Sequence, residues 1–73
     1  MSKLPRVSGK ECVAALAKRG FYHKRQHGSH IILRRDSPFA QVVVPNHQEL
    51  DRGTLRAIIR QVGLSVEEFN QLL

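Results

Sequence analysis

The sequence contains one cysteine, Cys12, no tryptophan and few acidic residues. A single cysteine excludes an intramolecular disulfide bond and any zinc site built from cysteine pairs. No apolar run approaches the length of a transmembrane helix, and the first residues lack the apolar segment of a secretory leader. We therefore expect a cytoplasmic protein that has no membrane partner.

The shortage of acidic residues leaves the chain strongly basic. Twelve Lys and Arg residues stand against six Asp and Glu residues, so the formal net charge is +6. This balance favours a polyanion as partner, although a basic surface that only keeps the protein in solution is the alternative interpretation. The length of 73 residues allows one domain, which we predict to span residues 1–73.

Helix and strand signals follow one another without linkers or repeats. Ser8 and Glu11 are spaced as a capping box, and Gly20 is suited to end the helix that they begin. Turn residues then separate three predicted strands, at 21–26, 30–35 and 39–44. A second helix follows, with apolar residues three and four positions apart, and Ser65 and Glu68 form a second capping box before a short last helix. This order predicts an α+β fold in which a three-stranded antiparallel sheet carries both main helices on one face, as in double-stranded-RNA-binding domains.

The alternation of side chains along a strand assigns faces to the predicted sheet. If Ile31 and Leu33 face the helices, His30 and Arg34 both point to the open face. Val42 and Val44 are then the matching core pair on the third strand. A register shifted by one residue would instead place Ile32 and His30 inside.

His30 is the leading candidate for chemistry, because it begins a strand directly after the turn residues Gly28 and Ser29. An imidazole titrates near neutral pH, so it can accept the proton of a ribose 2′-hydroxyl or protonate a leaving 5′-oxygen. Its alternative role is that of an ordinary turn histidine, and that alternative is favoured by composition alone. The predicted RNA contacts are basic residues and groups near the turn: Lys24, Arg25, Gly28, Ser29, Arg34, Arg35 and His47.

The other histidines give weaker signals. His23, His27 and His30 have spacings that suggest metal ligands, but Gly28 and Ser29 break any helix there and the side chains should diverge. We therefore predict no metal and no cofactor, and treat His23 and His27 as surface residues that could contact phosphates. His47 either closes one edge of the site or is simply exposed.

Several motifs together resemble the HicA-type mRNA interferase toxins, also called YcfA-like. They are Gly20-Phe21, Gln26-His27-Gly28-Ser29-His30, Val44-Pro45-Asn46-His47, Gly53-Thr54-Leu55-Arg56-Ala57-Ile58 and Gln61-Val62-Gly63-Leu64-Ser65. The resemblance covers nearly the whole chain, and the combination of these motifs at these intervals is specific, whereas any one alone is weak.

This resemblance implies a fold like that of double-stranded-RNA-binding domains and a toxin of a type II toxin–antitoxin pair. It implies cleavage of mRNA without a metal, with the family's single catalytic histidine falling on His30. It also implies a HicB-type antitoxin as protein partner, which covers the active site and binds operator DNA. The alternatives are an RNA-binding module without catalysis, which uses the basic sheet face, and an adaptor that binds only protein.

Overall fold

A computed structural model describes residues 3–73 of the chain. Residues 1–2, which the sequence prediction included in its single domain, lie outside the described residues. The elements follow the predicted order of helix, three strands, helix and short helix. They are α1 (Gly9–Ala17), β1 (Tyr22–His27), β2 (His30–Asp36), β3 (Phe39–Pro45), α2 (Arg52–Gln61) and α3 (Val66–Asn70).

Local hydrogen bonds fix both ends of α1. The Ser8 hydroxyl accepts from the Glu11 amide at 3.0 Å, and the Glu11 carboxylate accepts from the Ser8 amide at 2.8 Å, which is the predicted capping box. At the other end, the Phe21 amide donates to the Leu16 carbonyl and the Gly20 amide donates to the Ala17 carbonyl. Gly20 has φ of +88°, so this turn has the glycine-closed geometry that commonly ends helices.

The three strands form one antiparallel sheet in the order β1-β2-β3, so β2 is the central strand. His27 pairs with His30 across a two-residue turn, and Asp36 pairs with Phe39 across a second. β1 begins at Tyr22, one residue later than predicted, because the Phe21 amide donates to the Leu16 carbonyl at the end of α1. The other strand limits agree with the prediction to within one residue.

The helices cover one face of the sheet, and a hydrophobic cluster lies between the helices and the sheet. The cluster includes Cys12, Ala15 and Leu16 of α1, and Leu55, Ile58 and Ile59 of α2. From the sheet it takes the predicted core residues, which are Ile31, Leu33, Val42 and Val44. The α+β fold with both main helices on one face is therefore confirmed. The shifted register is wrong, because His30 is exposed.

A β-bulge in β1 changes which side chains reach each face. Arg25 pairs with Ile32 and His23 pairs with Leu33, so Lys24 is the extra residue without an opposite partner. Below the bulge, Tyr22 pairs with Arg34 and therefore lies on the same face as Arg25 and His27. If all six residues of β1 alternated regularly with no bulge, Tyr22 would point towards the helices. The bulge thus keeps an aromatic residue on the open face.

The start of α1 is tied to the end of β3. The Gly9 amide donates to the His47 carbonyl at 2.9 Å. A Cβ atom on Gly9 would fall on the Pro45 carbonyl oxygen and lie 3.0 Å from the Asn46 Cα, so only glycine allows this approach. Because Pro45 pairs with His30, this contact also supports the beginning of β2.

α2 and the short helix α3 follow the sheet and pack into the same core. Asp51 caps α2 by accepting from the Thr54 amide at 3.0 Å, and Ser65 and Glu68 form the second predicted capping box at α3. Phe69 of α3 is fully buried in the core. Within residues 3–73, no helix has the length and apolar character needed to cross a membrane.

Candidate nucleic-acid interface

His30 is held in place by its backbone, and its side chain remains exposed. It is the first residue of β2 and directly follows the two-residue turn Gly28-Ser29. Gly28 has φ of +57° while Ser29 does not have a positive φ, which is the arrangement that a type II′ hairpin turn requires. The sequence places glycine where a residue with a Cβ atom would be strained. The ring of His30 is thus presented from a fixed position.

Two further hydrogen bonds support this turn. The Gln26 side-chain amide donates to the Gly28 carbonyl at 2.9 Å. The Asn46 amide donates to the Ser29 carbonyl at 2.6 Å, which joins the turn to the loop that follows β3. The turn therefore has partners within its own hairpin and on the next segment of the chain. A phosphate that contacts Gly28 or Ser29 would meet a backbone that is already ordered.

The strand pairing defines an open face, which is the side of the sheet turned away from the helices. Its basic side chains are Arg25, His27, His30 and Arg34. Apolar and aromatic side chains lie among them: Tyr22 is 44% exposed, Phe39 is 64% exposed and Val43 is 46% exposed. Ile32 on the same face is only 6% exposed although it is not part of the core cluster, because side chains of both neighbouring strands flank the central strand. The open face therefore combines cations with exposed rings.

Arg34 lies at the opposite end of this face from His30. The two residues are four positions apart on β2, about 13 Å along the strand at the usual rise per residue. The Arg34 Nε donates to the Asp36 carboxylate at 2.9 Å, and its guanidinium lies 5.1 Å from the centroid of the Phe39 ring. These contacts hold the cation in one orientation while the Phe39 ring stays exposed.

Tyr22 joins the same cluster through its hydroxyl group. The Tyr22 hydroxyl donates to the Asp36 carboxylate at 3.1 Å. Partial desolvation, followed by this hydrogen bond to Asp36, raises the pKa of the Tyr22 hydroxyl. Tyr22 therefore remains a neutral hydrogen-bond donor at physiological pH, and its ring is available to an incoming group.

Arg35 does not lie with the other predicted contacts. Its position on β2 places it on the helical side, where its guanidinium lies 4.7 Å from the centroid of the Phe21 ring. Its Nε also donates to the Pro38 carbonyl at 3.0 Å. The prediction grouped Arg35 with Arg34 from their adjacency in the chain, but adjacent residues of a strand point to opposite faces. Arg35 therefore packs against the fold, whereas Lys24 is exposed at the bulge.

His47 is exposed in the loop after β3, next to the turn that carries His30. The hydrogen bond between Asn46 and Ser29 brings this loop to the same end of the sheet. His47 lines a pocket of about 260 Å³, together with Ser8, Lys10, Asn46 and Gln48. Lys10 contributes one cation to this pocket, and His47 contributes an imidazole. Lys10 was not among the predicted site residues, because nothing in its helical position links it to His47.

The sequence analysis also missed the position of His27. The strand register places His27 directly opposite His30, so both imidazoles lie on the open face. The signal was present, because residues that flank a two-residue hairpin turn oppose each other. By contrast, His23 pairs with Leu33 and falls on the other face of β1. Among the described residues, no group of three His, Cys, Asp or Glu side chains is placed to hold a metal ion.

These features define a small α+β domain with a cationic, partly aromatic open sheet and an exposed histidine at a supported turn. The comparison with protein families matches residues 9–64 to the HicA toxin family of bacterial toxin–antitoxin systems. Since this match covers most of the 73-residue chain, the protein belongs to that family. A comparison with curated proteins gives no match.

Proposed function

We propose that this toxin is an endoribonuclease that cleaves mRNA and uses His30 as a general acid or base. The observation that carries the proposal is the position of His30. Its backbone is fixed by strand pairing and by a supported turn, and its side chain is exposed on the open face that also carries Arg25 and Arg34. The match to the HicA family supports the same conclusion, because members of that family are toxins.

The chemistry requires no group beyond a ribose, a phosphodiester and ionisable side chains. A neutral imidazole removes the proton of the 2′-hydroxyl, and the resulting oxygen attacks the adjacent phosphorus. The bond from phosphorus to the 5′-oxygen then breaks, leaving a 2′,3′-cyclic phosphate and a 5′-hydroxyl group. A positioned acid or base of this kind accelerates the reaction about 10²–10⁴-fold. Nearby cations stabilise the charge that develops on the phosphorane.

The remaining contacts serve to bind and align the RNA. We assign phosphate contacts to Arg25, Lys24 and Arg34, and to the backbone of the turn at Gly28-Ser29. His47 and the pocket beside it would hold a phosphate further along the strand. Arg35 is left out of this set because it packs against Phe21. Binding through these cations should weaken as salt concentration rises, because bound counterions are released from the RNA.

We further propose that the partner of the toxin is a HicB-type antitoxin that covers the open face and itself binds operator DNA. The exposed apolar side chains Tyr22, Phe39 and Val43 favour a protein contact there. The net charge of +6 favours an acidic partner surface. Because the proposed substrate is mRNA, we place the protein in the cytoplasm.

The test measures cleavage of a purified mRNA by the purified protein in excess chelator. His30→Ala should retain its circular dichroism spectrum and melting temperature, because the ring is exposed, but should lose at least about 10²-fold in cleavage rate. The same variant should no longer arrest growth when it is expressed in cells. His23→Ala is the matched control, since it removes an exposed histidine from the other face of β1 and should cleave at the parental rate.

Two outcomes would contradict the proposal. Parental cleavage by His30→Ala would remove His30 from the reaction. Salt-dependent RNA binding by the parental protein without cleavage products would select the second candidate, a non-catalytic RNA-binding module. The exposed rings of Phe39 and Tyr22 among cations are the feature that such a module would use.

A further inference from the structure

A second imidazole lies directly opposite His30. His27 is the last residue of β1 and pairs with His30 across the two-residue turn. Directly opposed residues of an antiparallel pair point to the same face, with Cβ atoms about 5 Å apart. Both side chains are exposed. Within residues 3–73, neither imidazole has a hydrogen bond or an ion pair to another side chain.

The spacing of the two imidazoles is set by the hairpin and not by flexible loops. The Gln26 side-chain amide donates to the Gly28 carbonyl, and the Asn46 backbone amide donates to the Ser29 carbonyl. Both residues of the turn between the two histidines are therefore hydrogen-bonded. On β3, Pro45 completes the row by pairing with His30. The two rings therefore project from fixed positions on the backbone.

The surroundings of the pair are cationic or apolar. On the open face, the next residue of β1 is Arg25, the next residue of β2 is Ile32 and the next residue of β3 is Val43. None of these facing residues is a carboxylate, and Asp36 is at the far end of β2, where Arg34 and Tyr22 bind it. Because no carboxylate is paired with the two adjacent imidazoles, both are available to bind an anionic phosphodiester.

We propose that His27 and His30 form an acid–base pair that acts on one phosphodiester, an inference that rests on the proposed nuclease function. One imidazole, neutral before the reaction, takes the proton of the 2′-hydroxyl as the bond from the 2′-oxygen to phosphorus forms. The other imidazole, protonated before the reaction, gives its proton to the 5′-oxygen as the bond from phosphorus to that oxygen breaks. One proton is taken up and one is released, so the step balances without any further reagent.

The experiment compares the leaving-group dependence of four variants on a short RNA that carries the mapped cleavage site. The variants are His27→Gln, His30→Gln, His47→Gln and the control His23→Gln. One substrate has the normal 5′-oxygen at the scissile bond, and a second has a 5′-bridging sulfur. A thiolate leaves without needing a proton, because a thiol is far more acidic than an alcohol. The fall in rate caused by removing the general acid should therefore be small on the sulfur substrate. The fall in rate caused by removing the general base should remain.

We expect His27→Gln and His30→Gln each to lose about 10²-fold or more on the normal RNA. The sulfur substrate should restore one of these two variants to near the parental rate and leave the other slow. The restored variant identifies the acid. The parental pH–rate profile should be bell-shaped, and each variant should lose one of its two limbs. His23→Gln should match the parental protein on both substrates.

Three results would overturn the inference. The first is cleavage of normal RNA by His27→Gln at the parental rate. The second is that His27→Gln and His30→Gln both stay slow on the sulfur substrate, which would indicate a role in binding. Restoration of His47→Gln in place of the hairpin histidines would assign the second group to the neighbouring pocket. No cleavage by the parental protein would overturn the nuclease proposal itself, so the two failures are distinct.

Discussion

Arg34 and Arg35 are neighbours in the chain, yet their guanidinium groups lie on opposite sides of the sheet and stack on different rings. Arg34 lies over Phe39 on the open face and bonds Asp36. Arg35 lies over Phe21 on the helical side and bonds the Pro38 carbonyl. The first cation is therefore placed to meet a ligand, and the second supports the junction between α1 and the sheet.

This difference predicts opposite effects for one pair of matched variants. Arg34→Gln should weaken RNA binding and reduce the slope of log affinity against log salt by about 0.7. Its melting temperature should change little, because the partners of Arg34, Asp36 and the Phe39 ring, are both exposed to solvent, whereas the Phe21 ring beneath Arg35 is buried. Arg35→Gln should leave RNA binding unchanged and destabilise the fold by about 1 kcal/mol through the lost ring contact and hydrogen bond. For a domain of this size that loss lowers the melting temperature by roughly 4–8 °C. Fluorescence binding titrations at several salt concentrations and thermal melts make both measurements, and equal binding defects in the two variants would contradict the assignment.

Two glycines at helix starts should respond to alanine in opposite directions. Gly9→Ala places a Cβ atom against the Pro45 carbonyl, so the end of β3 must move, at a cost of about 2 kcal/mol. Gly53→Ala meets only the Asp51 carboxylate at 3.5 Å, an ordinary contact, and should stabilise the protein by about 0.5 kcal/mol because the unfolded chain loses freedom. Urea unfolding curves measure both effects. A Gly9→Ala protein as stable as the parental protein would show that the start of α1 does not approach the end of β3 this closely.

The thiol of Cys12 should be inert in the folded protein. Cys12 is fully buried, and desolvation raises its pKa to about 12. The reactive thiolate is therefore scarce at pH 8, and reagents have no access to the sulfur. A chromogenic disulfide reagent should detect no thiol in the native protein and one thiol per chain in denaturant. Rapid reaction without denaturant, beyond the background of Cys12→Ala, would contradict the burial of α1.

Two helix caps should make stability depend on pH in the acid range. Hydrogen bonds from the Thr54 amide and hydroxyl lower the pKa of Asp51, and hydrogen bonds from Ser65 lower the pKa of Glu68. Because both pKa values are lower in the folded state than in the unfolded chain, the stabilisation is present above the unfolded values, near pH 4. It is lost as the pH falls through the folded values.

The matched control for this dependence retains the caps and removes their titration. Asparagine caps helices as well as aspartate does, and glutamine can replace glutamate in a capping box. The double variant Asp51→Asn with Glu68→Gln should therefore lose less stability than the parental protein between pH 5 and pH 3 in urea unfolding. Parallel losses in the two proteins would show that other carboxylates determine the acid dependence.

The sequence predicted most of the fold because its signals are local. Ser8 with Glu11 and Ser65 with Glu68 are capping boxes whose spacing is sufficient to place a helix start. Ile31 with Leu33 and Val42 with Val44 gave the correct core face, since alternation along a strand fixes all members of a face together. The position of His30 on the open face followed from the same alternation.

The features that escaped prediction depend on pairing between strands. Nothing local to Lys24 marks it as the bulged residue, because a bulge exists only relative to the partner strand. The opposition of His27 and His30 likewise depends on the turn having two residues and not three. Arg35 was assigned to the site by charge alone, and its ring partner Phe21 lies fourteen positions earlier in the chain.

The bulge at Lys24 makes β1 tolerant of two kinds of change in a mutational library. A different side chain at this position leaves the pairs on either side intact, because Lys24 has no opposite residue. Deletion of Lys24 restores regular alternation, so His23 stays opposite Leu33 and Tyr22 stays opposite Arg34. Both the charge and the residue count of the first strand can therefore vary at this point while each face of the sheet keeps its side chains.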